Sequence, residues 1–153
     1  MLARSTFFTK VNMKVIIYTN PNGNVSVCVP TGELPIEEVL VKDCPTGAII
    51  VDDSTLPQGD DAAFFDAWEL SGETVSVNLT KAKALATSQV NAQAKGEAAH
   101  RFSNDSIAID NVLSDVDWKA LVVAARSAIA SATDTTALLA AIKPVSDAIE
   151  ANK

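Results

Sequence analysis

The sequence predicts an α+β fold, in which a small, mostly antiparallel sheet with a short helix precedes an all-helical C-terminal region. The strand-like patterns and five of the six prolines lie before residue 79. From residue 79 onward the chain is rich in alanine and contains a single glycine, a composition typical of helices. These observations divide the 153 residues into an N-terminal arm (1–12), an α+β domain (13–78) and a helical region (79–153).

Five short runs have the patterning of β-strands. They are Lys14–Thr19, Val25–Val29, Ala48–Val51, Trp68–Leu70 and Glu73–Val77. The first two flank the turn-rich segment Asn20–Asn24 and the last two flank Ser71-Gly72, so each pair predicts a β-hairpin. The middle run is wholly apolar and bounded by turn residues, which predicts a buried strand.

A short helix is predicted between the second and third strands. It begins at Pro35 and extends to about Lys42, because proline favours the first helical position and Glu37 and Glu38 favour a helix N-terminus. Its predicted apolar face consists of Ile36, Val39 and Leu40.

The helical region begins with a stretch, residues 79–101, that has only a thin apolar stripe. The stripe consists of Leu79, Ala82, Ala86 and Val90. We therefore expect this helix to be held by intrinsic propensity and partner contacts rather than by a core of its own. We also expect the β-rich half, which has most of the aromatic residues and the β-branched runs, to be the more stable one, because a core built on alanine buries little area per residue.

The rest of the helical region predicts an αα-hairpin across residues 131–134. Two apolar stripes repeat at the same helical spacing. They are Trp118, Val122, Ala125 and Ile129, and Leu138, Ile142, Val145 and Ile149. Ser114 and Thr133 are the predicted N-caps of the two helices, and Pro144 is expected to kink or break the second.

The net charge of the chain disfavours two classes of binding partner. A net charge of −7 argues against nucleic acid and against an anionic membrane, because both recognise clustered lysine and arginine. No run of 18 apolar residues predicts a transmembrane helix, and the first eight residues are too polar for a signal-peptide core. The expected place of synthesis is the cytoplasm.

Acidic residues are concentrated in one stretch of the sequence. Eleven acidic residues and one basic residue lie between Glu33 and Glu73, whereas residues 74–153 carry eight of each. Such a run is typically a solvated face, and the alternative is a docking surface for a basic partner.

Five aromatic residues are candidates for a protein interface. They are Phe7, Phe8, Phe65, Trp68 and Trp118. Phe7 and Phe8 lie in the arm between two cations, Arg4 and Lys10. For the cluster around Phe65 and Trp68 a core role is the favoured alternative, and for Trp118 a core role and a coiled-coil seam are equally open.

No catalytic or cofactor motif is present in the sequence, so we expect neither an enzyme nor a cofactor. The single histidine, His100, is interpreted as a cationic residue near a helix C-terminus. The loop Asp52–Asp61 contains four aspartates and could hold Ca²⁺, but it lacks the spacing of a calcium loop. Turn and helix-cap chemistry is the favoured explanation, with Asp60 or Asp61 capping a short helix over residues 62–66.

Cys28 and Cys44 are the only cysteines, and they do not form a CxxC pair. Cys28 lies in an apolar strand pattern, which favours a small buried side chain, and Cys44 precedes a proline in a turn. A disulfide between them is possible but unsupported by the sequence, since a cytoplasmic chain would keep both reduced.

Several segments together resemble a group of small proteins encoded near the tail-fibre genes of tailed bacteriophages. They are Met13–Asn20, Gly23–Val25, Ile36–Val39, Lys42–Pro45, Ile50–Ser54, Leu56-Pro57 and Phe65–Glu69. The resemblance covers about residues 13–85, and the group usually begins at the position of Met13.

What this resemblance implies is a virion structural protein of the tail or tail fibre, which acts by docking to other virion proteins and forms a homo-oligomer. The alternative is a tail-fibre assembly chaperone that is absent from the mature particle. A small host-directed enzyme or inhibitor is a third hypothesis, disfavoured by the lack of a catalytic motif.

Overall fold

The computed structural model describes residues 13–103 and 115–151, which form two compact units. The first unit consists of residues 13–57 and Glu69–Ser76. The second consists of Gln58–Trp68 together with residues 77–103 and 115–151. The predicted fold class is confirmed, since antiparallel strands with a short helix precede three C-terminal helices.

The first unit is built on a three-stranded antiparallel sheet. Its strands are β1 (Lys14–Thr19), β2 (Val25–Cys28) and β3 (Ile49–Asp52), in the order β2-β1-β3. The predicted first hairpin is confirmed, with Ile17 opposite Val27. The central strand supplies most of the core of this unit, because its three consecutive residues 15–17 are all buried.

The turn between β1 and β2 explains the dense turn chemistry of the sequence. The Asn20 side-chain oxygen accepts hydrogen bonds from the backbone N–H groups of Asn22 at 3.0 Å and Asn24 at 3.1 Å. Gly23 has φ of +81°, a left-handed conformation that glycine adopts without steric cost. The side chain of one asparagine and the freedom of one glycine therefore set the hairpin geometry.

The third predicted strand exists, but the expectation that it is buried is wrong. Every residue of β3 is half-buried. Among the described strands it pairs only with β1, so it lies at an edge of the sheet that they form. An apolar run bounded by turns therefore marked an edge strand rather than a central one.

The first unit also contains the predicted short helix, α1 (Ile36–Asp43), which contacts β1 and β3. The second predicted hairpin is confirmed as β4 (Trp68–Ser71) and β5 (Thr74–Val77). These two strands form a separate two-stranded sheet, so the antiparallel strands belong to two sheets instead of one.

The second unit is a three-helix arrangement of α2 (Leu79–Ser103), α3 (Asp115–Ser131) and α4 (Thr135–Glu150). Each helix packs against the other two, and a 3₁₀-helical segment, Gly59–Ala67, packs against α2 and α4. Residues from all four elements form one buried apolar cluster. Gln58–Trp68 therefore belongs with the helices, because Phe64 and Ala67 lie in that cluster.

The expectation that the helix over residues 79–101 is held without a core of its own is wrong. The thin stripe of α2 is buried within the chain, with Ala82, Ala86 and Val90 fully inaccessible to solvent. Small side chains allow helices to approach closely, so a narrow alanine stripe suffices when the neighbouring helices bring larger residues. Leu138 and Ile129 supply that bulk from α4 and α3.

The predicted αα-hairpin of α3 and α4 is confirmed by burial of both stripes. Trp118 and Ile129 are buried on α3, as are Leu138 and Val145 on α4. The N-cap of α4 is Asp134 rather than the predicted Thr133. The Asp134 carboxylate accepts a 2.8 Å hydrogen bond from the backbone N–H of Ala137, which an aspartate does at least as well as a threonine. The predicted cap Ser114 lies outside the described residues.

Of the kink or break expected at Pro144, the break does not occur, since α4 continues through this residue to Glu150. Proline inside a helix removes one backbone hydrogen bond and costs about 3 kcal/mol. Ile142 and Val145 on either side are buried in the core. Their burial offsets a cost of this size, because each fully buried aliphatic side chain contributes about 1.5–3 kcal/mol.

Candidate protein-docking surface

Helix α1 stands out because none of its eight residues is buried. Its predicted apolar face of Ile36, Val39 and Leu40 is half-buried. The backbone N–H groups of Glu38 and Val39 bond to the Pro35 carbonyl, at 3.0 and 3.2 Å, which begins the helix directly after the proline. The helix is therefore well formed but only lightly covered.

The outer side of this helix combines exposed apolar and acidic side chains. Val41 is 84% exposed, and Leu34, just before the helix, is 40% exposed. Glu37 and Glu38 precede Val41 by four and three residues, so they share its helix face. We call the set Glu33, Leu34, Glu37, Glu38 and Val41 the α1 surface.

The carboxylates of the α1 surface have no ion-pair partner within the described part of the chain. Glu37 and Glu38 lie in the first turn of α1, where negative charge is favourable for the helix itself. Residues 13–57 and 69–76 contain eight acidic residues against two lysines. One of these, Lys14, already lies 3.8 Å from the Asp52 carboxylate. Because acidic residues outnumber lysines four to one, the electrostatic potential of the first unit is strongly negative.

The aspartates of the loop Asp52–Asp61 are engaged within the chain. The Asp52 carboxylate accepts hydrogen bonds from the backbone N–H and the hydroxyl of Ser54, at 3.2 and 2.7 Å. Asp53 accepts a bond from the Met13 backbone N–H at 3.1 Å. The favoured explanation of turn and cap chemistry is thus confirmed for Asp52.

Asp60 and Asp61 do not cap a helix, contrary to the expectation. Both lie inside the 3₁₀ segment, whose N-cap is Gln58. Their carboxylates instead accept 2.6 Å hydrogen bonds from the hydroxyls of Thr136 and Thr135, respectively. Among the described residues no group of three or more histidine, cysteine or acidic side chains has a metal-binding arrangement.

The five aromatic candidates fall in three different environments. Trp118 is buried in the core of the second unit, and Trp68 is only 5% exposed, with its indole N–H donating to the Asp61 carbonyl at 3.0 Å. Phe65 is 41% exposed, with its ring centroid 4.8 Å from that of Trp68. Phe7 and Phe8 lie outside the described residues. Phe65 is therefore the described candidate whose side chain is free to contact a partner.

An open groove of about 530 Å³, with more apolar than polar lining, lies between α2 and α3 in the second unit. Lys83 and Arg126 line it together with Thr87, Ser88 and Asn91. The Lys83 ammonium donates to the Ala130 carbonyl at 2.9 Å, and Arg126 donates two bonds to the Asn91 side-chain oxygen at 2.9 and 2.6 Å. Neither cation is paired with a carboxylate in the part of the chain that the structure describes.

The two cysteines are half-buried, and both lie in the first unit. Burial, followed by the neighbouring Cys28 thiol and the Asp43 carboxylate, raises the pKa of the Cys44 thiol above its ordinary value. The thiol form is therefore stabilised at Cys44.

Two features escaped prediction from the sequence. The exposure of Val41 was not predicted, because an apolar residue in a helix is usually expected to be covered. The available signal was its position between Leu40 and Lys42, which places it off the predicted apolar face of the helix. The groove residues Lys83 and Arg126 are 43 positions apart, so only the packing of α2 on α3 brings them together. His100 lies within α2, and its side chain is outside the described part.

Within the described residues no helix is long and apolar enough to cross a membrane. Comparisons with protein-family models, with curated proteins and with solved structures find no match for this chain.

Proposed function

We propose that the protein is a structural component of a bacteriophage tail or tail fibre, made in the host cytoplasm, that docks to other virion proteins through the α1 surface. The observation that carries this proposal is that Val41 is 84% exposed and lies beside glutamates that form no ion pair with another described residue. Isolated exposed apolar residues are common on proteins, but here an apolar and acidic patch lies on a helix with no buried residue.

The chemistry of this surface specifies the kind of partner. A complementary surface would place lysine or arginine against Glu37 and Glu38 and a shallow apolar pocket against Val41. Full burial of one valine contributes about 1.5–3 kcal/mol, and the charges add mainly to association rate and specificity. A single contact of this size is weak. Repeated copies in a particle would multiply it through avidity.

The bacteriophage context of the proposal comes from the sequence resemblance over about residues 13–85. The resembling segments include Ile36–Val39 and Lys42–Pro45, which together span most of α1. The docking surface that we propose therefore lies within the part of the chain that carries the resemblance. Phe65 is a second contact candidate, and Phe7 and Phe8 stay candidates in the predicted arm.

The proposed homo-oligomer has a specific basis in charge complementarity. The α1 surface presents three glutamates, and the groove of the second unit presents Lys83 and Arg126. We propose that the α1 surface of one copy occupies the groove of another. Two different surfaces then meet, so the contact is head-to-tail and builds a ring or an open filament.

Charge exchange tests this contact between copies. One variant combines Glu37→Lys and Glu38→Lys, and the other combines Lys83→Glu and Arg126→Glu. Each variant alone should sediment as a smaller species than the wild type, and an equal mixture should recover the larger one. Glu73→Lys reverses one charge, half the change of the double variant, at an exposed residue off the α1 surface and should behave as the wild type does. A wild type that is monomeric at all concentrations would contradict the contact.

The docking function is tested by incorporation into particles. A phage that lacks the gene would be complemented with wild-type protein, with the variant Glu37→Lys, Glu38→Lys and Val41→Ser, or with Glu73→Lys. We expect the α1-surface variant to fold but to be depleted at least about tenfold in purified particles, since loss of one valine contact and two charges removes more than about 1.4 kcal/mol. Equal incorporation of all three proteins would reject the α1 surface as the docking site.

The alternative function is a tail-fibre assembly chaperone that leaves before the particle is mature. The same α1 surface would then bind fibre chains only transiently. A chaperone is present in infected cells but absent from purified particles, whereas a structural protein is present in both.

A further inference from the structure

The turn between β1 and β2 carries a reactive pair of residues at its tip. Asn22 is the only asparagine of the chain that directly precedes a glycine, and both Asn22 and Gly23 are exposed. The space beside the Gly23 Cα is open, since a methyl group built there would meet no atom beyond the chain neighbours within 4 Å. Water therefore reaches the peptide bond between these two residues.

The chemistry of this pair is an attack of the chain on itself. The Gly23 backbone nitrogen, once deprotonated, attacks the side-chain carbonyl carbon of Asn22, and ammonia leaves as a cyclic succinimide closes. A side chain on the attacking residue would hinder this approach, and glycine has none. Water then opens the ring at either carbonyl, which gives aspartate or isoaspartate. One water is consumed and one ammonia is released, so no oxidant or reductant is needed.

The closed turn restrains this reaction through Asn20. The attacking nitrogen of Gly23 donates its hydrogen to the Asn20 carbonyl at 2.9 Å. The Asn20 side-chain oxygen accepts bonds from the backbone N–H groups of Asn22 at 3.0 Å and Asn24 at 3.1 Å. A hydrogen bond to the protonated form of a group opposes its deprotonation, and the bonds on either side hold the backbone of Asn22. The attack therefore requires the turn to open.

The other described asparagines lack this combination of features. Asn20 precedes a proline, whose nitrogen carries no hydrogen, and Asn24 precedes a β-branched valine. Asn78 accepts a 3.0 Å bond from a backbone N–H in the first turn of α2, and Asn91 accepts two bonds from an arginine of α3. Asn22 is thus the described asparagine with an exposed side chain and an unhindered attacking nitrogen.

We propose that Asn22 is a modification site, at which opening of the β1–β2 turn permits spontaneous deamidation to aspartate and isoaspartate, and that Asn20 sets the rate by holding the turn closed. The proposal is independent of the proposed virion function. Local opening of a hairpin tip costs less free energy than global unfolding, so the reaction proceeds in the folded protein. Either product adds a negative charge to the acidic first unit, and isoaspartate also lengthens the main chain within the turn.

The experiment incubates the full chain in mildly alkaline buffer, with and without denaturant. Peptide mapping by mass spectrometry locates the replacement of an amide by a carboxyl group, and hydroxylamine cleaves the chain wherever the succinimide has formed. We expect the wild type to react first at Asn22, at least about tenfold more slowly in native buffer than in denaturant, because the turn is mostly closed.

Three variants test the role of Asn20. Asn20→Ala removes two hydrogen bonds of the turn and should accelerate native deamidation at Asn22 roughly tenfold, since loss of two such bonds shifts the opening equilibrium by about that factor. Asn20→Asp retains an oxygen acceptor and should react as slowly as the wild type. Asn24→Ala is the matched control and should also do so, because the bond from Asn24 uses its backbone N–H.

The proposal makes the rate in denaturant the same for all four proteins, because the turn is then open in each. Native wild type that reacts as fast as the denatured chain, that reacts first at another asparagine or that does not react at all would overturn the proposal. An Asn20→Ala variant that reacts no faster than Asn24→Ala in native buffer would do the same.

Discussion

The hydroxyl of Thr135 donates a 2.6 Å hydrogen bond to the carboxylate of Asp61, a residue 74 positions earlier in the sequence. Thr135 is the first residue of α4, and Asp61 lies in the 3₁₀ segment Gly59–Ala67. The neighbouring pair, Thr136 and Asp60, repeats the same contact at 2.6 Å. Two adjacent hydrogen bonds therefore connect the 3₁₀ segment to the start of α4 within the second unit.

The first prediction concerns this pair of contacts. Thr135→Val should lower the free energy of unfolding by about 1.5–3 kcal/mol, because Thr135 is buried and its partner is a charged group. Thr136→Val is the matched control and should cost less than about 1 kcal/mol, since both Thr136 and Asp60 are exposed. Urea denaturation of the two variants measures the difference. Equal losses would show that burial does not govern the strength of these bonds.

A second prediction concerns Trp118, which is 7% exposed and begins the buried stripe of α3. Trp118→Ala should lower the free energy of unfolding by on the order of 3 kcal/mol, as large-to-small core substitutions do. Val123→Ala, on the same helix but 54% exposed, should change it by less than about 0.5 kcal/mol. If Trp118→Ala were as mild as Val123→Ala, the residue would belong to an interface instead of the core.

The third prediction follows from the core of the second unit. A fragment of residues 58–153 contains Phe64 and Ala67, which lie in the same buried cluster as the helices, whereas a fragment of residues 79–153 lacks both. The longer fragment should melt cooperatively and independently of concentration. The shorter one should be less stable by at least about 3 kcal/mol, because a buried aromatic anchor is missing. Thermal melts followed by circular dichroism at several concentrations would reveal either result, and equal stability of the fragments would contradict the assignment of the 3₁₀ segment.

Periodicity and turn chemistry were sufficient to predict most of the elements. The β-hairpin around Asn20–Asn24 and the αα-hairpin with the stripes led by Trp118 and Leu138 depend on local sequence patterns. Both hairpins were therefore predicted correctly. Errors arose where a distant contact decides the outcome. Pro144 remains helical because its neighbours are buried by other helices, and β3 is half-buried because it pairs with β1 alone among the described strands.

The sequence predicted only the negative charge of the candidate docking surface. The acidic run between Glu33 and Glu73 identified the region. Composition does not distinguish carboxylates engaged in turns, such as Asp52, from those of α1, which have no ion pair with another described residue. Nor does it show which apolar side chains remain exposed. The prominence of Val41 depends on how α1 packs on the sheet, which is a tertiary property.

The fourth prediction is a dependence of stability on pH. The folded state holds the proton of Cys44 more tightly than the unfolded chain does, because its pKa lies above the ordinary 9.0. The contribution to stability is therefore complete below that ordinary value and declines as the pH rises past it. Under reducing conditions the wild type should lose more stability between about pH 7 and about pH 10 than Cys44→Ser does. Parallel losses in the two proteins would contradict the shift at Cys44.

The central proposal, that the protein is a structural part of a virion, is tested most directly by a quantitative mass-spectrometric inventory of purified phage particles from infected cells that produce the protein. A structural role predicts that the chain is present at a fixed ratio to the tail or fibre proteins, unchanged by further purification and by high salt. Complete absence from purified particles, with abundant protein in the infected cells, would contradict the structural role and favour the assembly chaperone.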